Sequence, residues 1–511
     1  MIAPDLVRNP ARRFGDRPCM VGAERSLTFA EVDARADSLA AALAARGVVA
    51  GDRVALLALN EVEYLEIQVA AQRLGAVLVP LNYRLAVPEL AFIVGDAGAG
   101  VLIHGPGQAE AAAALAAEQA VDRTLHLGAE GVGEAYEDAL AAHPDAERRG
   151  PLDAGAAACI LYTSGTTGRP KGAVLSNLAL YARAAAHGVE LPIAPGDVFV
   201  QTLPMFHIAS NLSYGFAYCG ATNVLVRAFD PVAVVETIAR HDATHVLLVP
   251  TTINMLVNHP VAASADLGSL RTVLYGASPI APELLRRAID VFRCGFVQFF
   301  GMTETSGCTL LRAADHDPVR HPERLASAGT DTVSFETRVV DGDDRELPPG
   351  EVGEIVTRGP AVMTAYWNNP EATAQALRNG WMHTGDLGYR AADGYLYVSD
   401  RLKDMIVSGA ENVYPREVED VLFEHPAVLE AAVIGVPDER WGERVHAVVC
   451  RRPGHEVDAA AVIAHCRSRL AGYKCPRSVA FVDALPKNVT GKVLKRELRA
   501  AHWPAGGRSV G

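Results

Sequence analysis

Thr163-Ser164-Gly165-Thr166-Thr167-Gly168-Arg169-Pro170-Lys171-Gly172 follows the apolar run from Ala156 to Tyr162 as a loop follows a buried strand. The composition suits an anion. Gly165 and Gly168 let the backbone turn tightly and approach a phosphate closely, and the hydroxyls of Thr163, Ser164, Thr166 and Thr167 join free amides as donors. Lys171 adds a mobile positive charge. The expected ligand is a nucleoside triphosphate. The run departs from the Walker pattern, because Gly172 stands after Lys171 where Ser or Thr would be needed and Pro170 interrupts the loop. Composition alone would also suit an ordinary Gly/Ser/Thr-rich surface loop; the ordered positions and the segments downstream favour the phosphate reading.

Four further segments carry weight: Gln298-Phe299-Phe300-Gly301-Met302-Thr303-Glu304, Thr384-Gly385-Asp386, Asp400-Arg401-Leu402-Lys403-Asp404 and Pro486-Lys487-Asn488-Val489-Thr490-Gly491-Lys492. Together with the loop they resemble, in order and approximate spacing, the motifs of the adenylate-forming superfamily of acyl-CoA synthetases, adenylation domains and luciferases. The nearest type is the acid:CoA ligases of fatty-acyl or aryl acids. The resemblance runs from about Leu27 to about Leu498. It implies an α/β fold: a large multi-layered N-terminal domain over 1–400 with α/β subdomains and a β-rich section, a hinge at 401–404, and a small mobile C-terminal α+β domain over 405–511.

With 511 residues, 50% of them hydrophobic, the chain can bury a sizeable core and divide into more than one domain. A formal charge of -13 argues against a nucleic-acid groove, whereas a few local cations and backbone amides suffice for a nucleotide. No apolar run is long enough to span a bilayer, and residues 1–14 hold Asp5 and two prolines without an apolar core. A cytoplasmic location is expected. The eight cysteines form no C-x-x-C pair, which points to neither zinc nor a disulfide framework; most are expected as small buried residues.

Local signals alternate between helix and strand. Thr28-x-x-Glu31 reads as a capping box opening an amphipathic helix that ends near Gly47, followed by a buried strand from Arg53 to Leu59. Val62 to Leu74 reads as a helix and Ala76 to Pro80 as a strand. Val246 to Val249, Thr272 to Tyr275 and Phe296 to Phe300 repeat the strand pattern, each ending at a candidate site loop, as ligands of open α/β sheets require. Ala109 to Ala120 reads as an exposed helix. The Asp, Gly and Pro content of 341–353 marks a hairpin in a β-rich section, and residues past Trp503 read as a frayed tail.

Adenylation brings a carboxylate to the α-phosphate of ATP and expels pyrophosphate, so it needs cations and aligned donors. By resemblance, Lys492 bridges carboxylate and phosphate oxygens, with Gly491 permitting its turn. Glu304 is the expected Mg²⁺ ligand and Thr303 a phosphate donor. Phe300 stands where relatives commonly have tyrosine; a phenyl ring still stacks on adenine but loses the hydroxyl. Gly276, Ala277 and Ser278, with Gly301 and Met302, are expected along the nucleotide edge. Asp386 and Arg401, fifteen residues apart, are expected to hold the ribose from opposite sides.

A second step requires the adenylating lysine to leave before a thiol attacks. The resemblance places a pivot at Lys403 and presents Ser408-Gly409-Ala410-Glu411-Asn412 to the pantetheine of CoA, with Gly409 as a contact and Ala410 where many relatives have glycine. Lys474 is a further candidate CoA contact. The acid is expected near Pro204-Met205-Phe206-His207, between walls at 211–219 and 301–308. His207 resembles the family's gating aromatic, with a structural histidine as the alternative. These walls carry no arginine suited to a second carboxylate, which favours an apolar aliphatic or aromatic monoacid. His241 and His245 have ligand-like spacing without a third ligand.

These expectations describe an ATP- and Mg²⁺-dependent acid:CoA ligase acting through an acyl-adenylate. Two alternatives stay open: an adenylating enzyme whose acceptor is a carrier-protein thiol or an amine, and a nucleotide-binding protein without catalysis. The sequence assigns no oligomeric state.

Overall fold

The apolar run ahead of the opening loop forms strand Ala157–Thr163, inside an eight-stranded sheet of the computed structural model. The structure describes residues 2–119, 121–144, 146–147, 152–163, 170–401, 404–408, 411–438, 441–487 and 491–503, with backbone alone at 2, 263, 264, 401 and 411. Strands Val77–Pro80, Arg53–Leu57, Ala99–His104 and Arg123–His126 continue that sheet in parallel. Their apolar stretches, Val54 to Leu57, Val77 to Val79 and Val101 to Ile103, are buried because parallel strands are covered on both faces. On the other side Ala157–Thr163 pairs antiparallel with Lys171–Ser176, which pairs with Ala365–Tyr366.

A second sheet of nine strands holds Pro18–Val21, Thr222–Leu225, Val198–Gln201, His245–Leu248, Thr272–Gly276 and Gly295–Met302 in parallel. Ser306–Leu311 turns back antiparallel on the last of these. The expected helix Phe29–Ala45 starts with Thr28 and Glu31 in the reciprocal bonds of a capping box. With helix Tyr64–Leu74 it forms a shared apolar layer: one core takes Val54 and Leu56 from the first sheet and Met20 and Leu225 from the second.

The strand expected to reach Leu59 ends at Leu57, and the helix expected from Val62 starts at Tyr64. The reason is Asn60. Its buried side chain donates to Leu203 O and Val226 O at 3.0 and 2.9 Å and accepts from Met205 N at 2.8 Å, so the chain turns here to tie one sheet to the other. The alanine-rich segment is helix Ala109–Glu118 and buries Ala112 and Leu115.

The β-rich section is an antiparallel sheet of Glu336–Val340, Gly353–Arg358, Met382–Arg390 and Leu396–Arg401, with the expected hairpin joining the first two strands. The small C-terminal α+β domain is built on the hairpin Val428–Asp438 and Gly442–Arg451, with helices Pro415–Phe423 and Ala459–Arg467. Among the described residues its core of Ile406, Val418, Leu422, Val433, Val449 and Val462 draws on nothing before Ile406. Helix Pro415–Phe423 seats it on the β-rich section: Arg416 donates from its backbone N to Asp400 and from Nη1 to Val398 O, both at 3.0 Å. Of the eight cysteines, Cys219 and Cys294 are half-buried and the other six buried.

Candidate active site

Between the two domains lies an open cleft lined by Ala277, Ser278, Phe300, Gly301, Asp386 and Lys492 among others. Ala277 and Ser278 arrive from the loop beyond the carboxyl end of parallel strand Thr272–Gly276, Phe300 and Gly301 from the end of strand Gly295–Met302, and Asp386 from within the antiparallel strand Met382–Arg390. Ala277 follows strand Thr272–Gly276 with φ at +68°, a left-handed backbone unusual for a residue with a Cβ and often found at functional sites. Gly276 packs so tightly that a Cβ would stand 2.5 Å from Phe299 O. At Gly301 it would stand 1.5 Å from Ser306 O, so only glycine lets the two strands close here. The Phe300 ring packs against a core of Ala328, Val339, Ile355 and Leu396.

Asp386 is buried, and its backbone N donates to Thr384 Oγ1 at 3.1 Å. It pairs in register with Arg401 on the neighbouring strand, so the two ribose candidates, fifteen residues apart in the chain, are opposite one another in the sheet. The side chain of Arg401 lies outside the described residues. So do Ser164, Gly165, Thr166, Thr167 and Gly168 of the phosphate loop, Lys403 of the hinge, and Gly409 with Ala410.

Lys492 enters the cleft from the small domain. Gly491 before it has φ at +78°, and its carbonyl accepts from Thr251 Oγ1 at 3.1 Å. The loop is braced from behind by the Lys487 and Val493 bridge, by a Lys487 to Glu430 ion pair, and by a Lys495 to Glu419 pair at 2.8 Å.

A second cluster forms around Thr303 and Glu304, both buried, in the turn between strands Gly295–Met302 and Ser306–Leu311. Tyr366 donates to Glu304 Oε1 at 2.6 Å, and Met363 N donates to Glu304 O at 2.7 Å. Burial together with the Glu304 carboxylate pushes the Tyr366 phenol well up from its ordinary range, so it remains a donor. Lys171 Nζ lies 5.2 Å from the centre of the Tyr366 ring. Thr163 pairs with Lys171 across the base of the loop, its Oγ1 donating to Lys171 O at 3.4 Å. Met302 packs beneath this group beside Ala158 and Leu175. Tyr366 therefore joins the loop lysine to the expected metal ligand. Among the described residues no three His, Cys, Asp or Glu side chains gather as a metal site. One carboxylate and a hydroxyl suit Mg²⁺, which is commonly held by one or two carboxylates plus substrate phosphates.

On the acid side, Phe206 meets Tyr83 edge to face with 5.4 Å between centroids, and His207 is half-buried beside it. Burial pulls the His207 pKa down to about 4, so the ring is neutral at physiological pH. His207 N donates to Pro204 O at 3.3 Å, which tightens the turn. His245 is fully buried against Phe216 and hydrogen-bonds Thr244, a packed core position unrelated to His241. Lys474 is not in the cleft; it pairs with Glu417 at 2.6 Å.

Three groups had no signal in the motifs. Tyr366 is 62 residues from Glu304, and Thr251 is 240 from Gly491. Arg183, on helix Asn177–Glu190, is 2% exposed and donates from Nη2 to Thr303 O at 3.2 Å and to Ala361 O at 2.8 Å. Reading the acid walls only from 211–219 and 301–308 left out this helix, which packs against Ser210–Tyr218.

A pattern describing AMP-binding enzymes matches residues 7–367, and one describing the C-terminal domain of AMP-binding enzymes matches 417–492. Feruloyl-CoA synthase of Amycolatopsis sp is 44% identical over 476 residues, which cover 93% of this chain and 94% of that protein. A fatty acid–acyl-carrier-protein ligase of Streptomyces coeruleorubidus is 37% identical over 506 residues, 96% and 95% of the two chains. Among solved structures, an amide bond synthetase from Marinactinospora thermotolerans superposes with a TM-score of 0.89 at 34% identity, covering 98% of this chain and 100% of that one.

Proposed function

The chain belongs to the AMP-binding enzyme family, and from that premise we propose how its cleft works. It is an AMP-forming acid–thiol ligase. An acid carboxylate attacks the α-phosphorus of ATP, the bond to the β-phosphate oxygen breaks, and pyrophosphate leaves with that bond's electron pair. CoA sulfur then attacks the acyl carbon of the adenylate, AMP leaves, and the thiol proton passes to solvent. The substrate is an apolar aliphatic or aromatic acid, in keeping with the aromatic and small residues beside Phe206.

In our reading, Lys492 bridges the attacking carboxylate and the α-phosphate, where a fixed cation stabilises charge that develops only as the bond forms. Asp386 and Arg401 hold the ribose, Ala277, Ser278 and Phe300 the adenine, and Thr163, 164–168 and Lys171 the outer phosphates. His207, neutral, borders the acid carboxylate without adding charge. Glu304 and Thr303 would hold Mg²⁺, which neutralises phosphate charge when bound. The single observation that carries this reading is the convergence of Asp386, Ala277 and Lys492, from three distant chain segments, on one cleft.

The domain limits we propose are 1–400 and 405–511 about a hinge at 401–404, with Lys403 as pivot and Gly409 facing CoA. No helix among the described residues is long and apolar enough to cross a membrane, and we assign the enzyme to the cytoplasm. A second acceptor class is favoured by relatives named for carrier-protein and amide chemistry. Pyrophosphate release with Mg²⁺ and ATP, measured across aliphatic and aromatic acids with and without CoA and followed by mass spectrometry, tests both. Acyl-CoA with AMP supports the ligase; adenylate that persists despite CoA refutes CoA as acceptor.

A further inference from the structure

The turn that carries Glu304 is short, and its shape is set from outside. Thr303, Glu304 and Thr305 join strands Gly295–Met302 and Ser306–Leu311, and Ser306 leaves the turn with φ at +65°, a left-handed backbone uncommon for a residue with a Cβ. Three donors from distant segments hold it. Arg183 Nη2 donates to Thr303 O at 3.2 Å, Met363 N to Glu304 O at 2.7 Å, and the Tyr366 hydroxyl to Glu304 Oε1 at 2.6 Å.

Two of these donors belong to one strap, residues 361–367. At its start the Ala361 carbonyl accepts from Arg183 Nε at 3.0 Å and Nη2 at 2.8 Å; at its end Trp367 N donates to Gly172 O at 2.7 Å. Between them Thr364 N donates to Val174 O at 2.9 Å, and Tyr366 pairs in register with Ala173. The strap therefore joins the Glu304 turn to the strand that Lys171 opens. That strand, Lys171–Ser176, runs directly into helix Asn177–Glu190, which carries Arg183 back to the strap. Arg183 closes the circuit.

An arginine suits this place. Its planar fork offers several donors in fixed directions, so one side chain ties carbonyls of two separate segments. A guanidinium 2% exposed is unfavourable unless hydrogen bonds and opposite charge offset its burial, and the Glu304 carboxylate attracts it. Arg183 does not line the cleft, so it acts through the groups it holds.

We propose that Arg183 is a positioning residue for the triphosphate: by tying Thr303 to Ala361 it sets Glu304, with the Mg²⁺ it would hold, against the Lys171 end of the phosphate loop. This rests on the ligase reading above. Partners that orient a metal ligand from behind change metal affinity or activity by about 10- to 100-fold when they are removed.

The test is calorimetric titration of the full-length protein with ATP and with AMP, each with and without Mg²⁺, for wild type, Arg183→Met and Arg183→Lys. AMP lacks the outer phosphates and reports the rest of the nucleotide site. In Arg183→Met the gain in ATP affinity on adding Mg²⁺ should fall about tenfold or more while AMP affinity stays within about twofold of wild type. Arg183→Lys, which keeps the charge and a donor, should recover part of the gain. A residue that only supports the fold would weaken AMP and ATP alike, and that result overturns the proposal, as does an unchanged Mg²⁺ gain in Arg183→Met. Amide hydrogen exchange of the wild type needs no variant to fold: Mg²⁺-ATP should slow exchange at Met363 and Trp367 more than AMP does, and equal slowing by both overturns the proposal. A wild type whose ATP affinity gains nothing from Mg²⁺ would instead refute the Glu304 assignment in the ligase reading, and this proposal with it.

Discussion

Replacing Gly491 with alanine tests whether the seat of the adenylating lysine is set by backbone geometry. Gly491 has φ at +78°, and a Cβ there would stand 2.9 Å from Thr251 Oγ1 and 3.1 Å from Thr251 Cβ. A left-handed backbone costs an L-residue about 1–2 kcal/mol. Pushing Thr251 away also forfeits its 3.1 Å bond to Gly491 O, worth about 1 kcal/mol. Together these are about 2–3 kcal/mol against the seated loop, or about 30- to 150-fold in the adenylation rate. The assay separates the half-reactions: pyrophosphate release from acid and ATP, and acyl-CoA formation from synthetic acyl-adenylate. Gly491→Ala should slow the first by that factor and spare the second, in which the lysine has left. Adding Thr251→Ala removes the crowding but not the dihedral cost, so the double variant should recover only part of the loss. Adenylation within threefold of wild type, or equal loss in both half-reactions, would refute the reasoning.

Lys492→Ala should reduce pyrophosphate release by about 10²- to 10³-fold while ATP binding, read by calorimetry, persists. Tyr366→Phe removes the 2.6 Å bond to Glu304 but keeps the ring beside Lys171; kcat/KM for Mg²⁺-ATP should fall about tenfold or more with the melting midpoint nearly unchanged. Burial holds His187, His207, His245, His316 and His446 near pKa 4, against about 6.5 in an unfolded chain. The unfolded state therefore binds more protons between those values, and these groups withdraw stability as pH falls from about 6.5 to 4. Glu66, pushed up to about 7 by burial against the pull of Arg35, acts in the opposite sense. The difference between proteins isolates one group: His245→Leu should flatten the urea-unfolding free energy against pH by up to about 1.4 kcal/mol per pH unit in that window.

The parts legible in the sequence were those whose cause is local. Thr28 and Glu31 cap a helix three residues apart, and the runs at 157–163 and 272–276 are apolar because these strands lie inside their sheets with both faces covered. Asp386 and Arg401 were pairable because a single hairpin joins them. Lys474, expected at CoA, pairs here with Glu417, a partner 57 residues away that no local pattern announces. Nothing near Glu304 announces Tyr366, which reaches it only because Ala365–Tyr366 joins the edge of the first sheet. Arg183 was equally hidden, since a helix interior full of alanine gives no sign that one side chain will reach Thr303 O and Ala361 O.

The separate core of the small domain changes what nucleotide affinity measures. Ile406, Val418 and Val449 pack among themselves, whereas Lys492, which the same domain carries, completes a cleft begun by the other. If ATP binds fully only to the seated arrangement, its apparent dissociation constant is the intrinsic one divided by the fraction of molecules seated. A substitution in that core, touching no atom near the ligand, then lowers affinity by loosening the domain that delivers the lysine. Titration with ATP becomes a gauge of folding at a distance, and weak binding in a variant is not by itself evidence that the altered residue lies at the site.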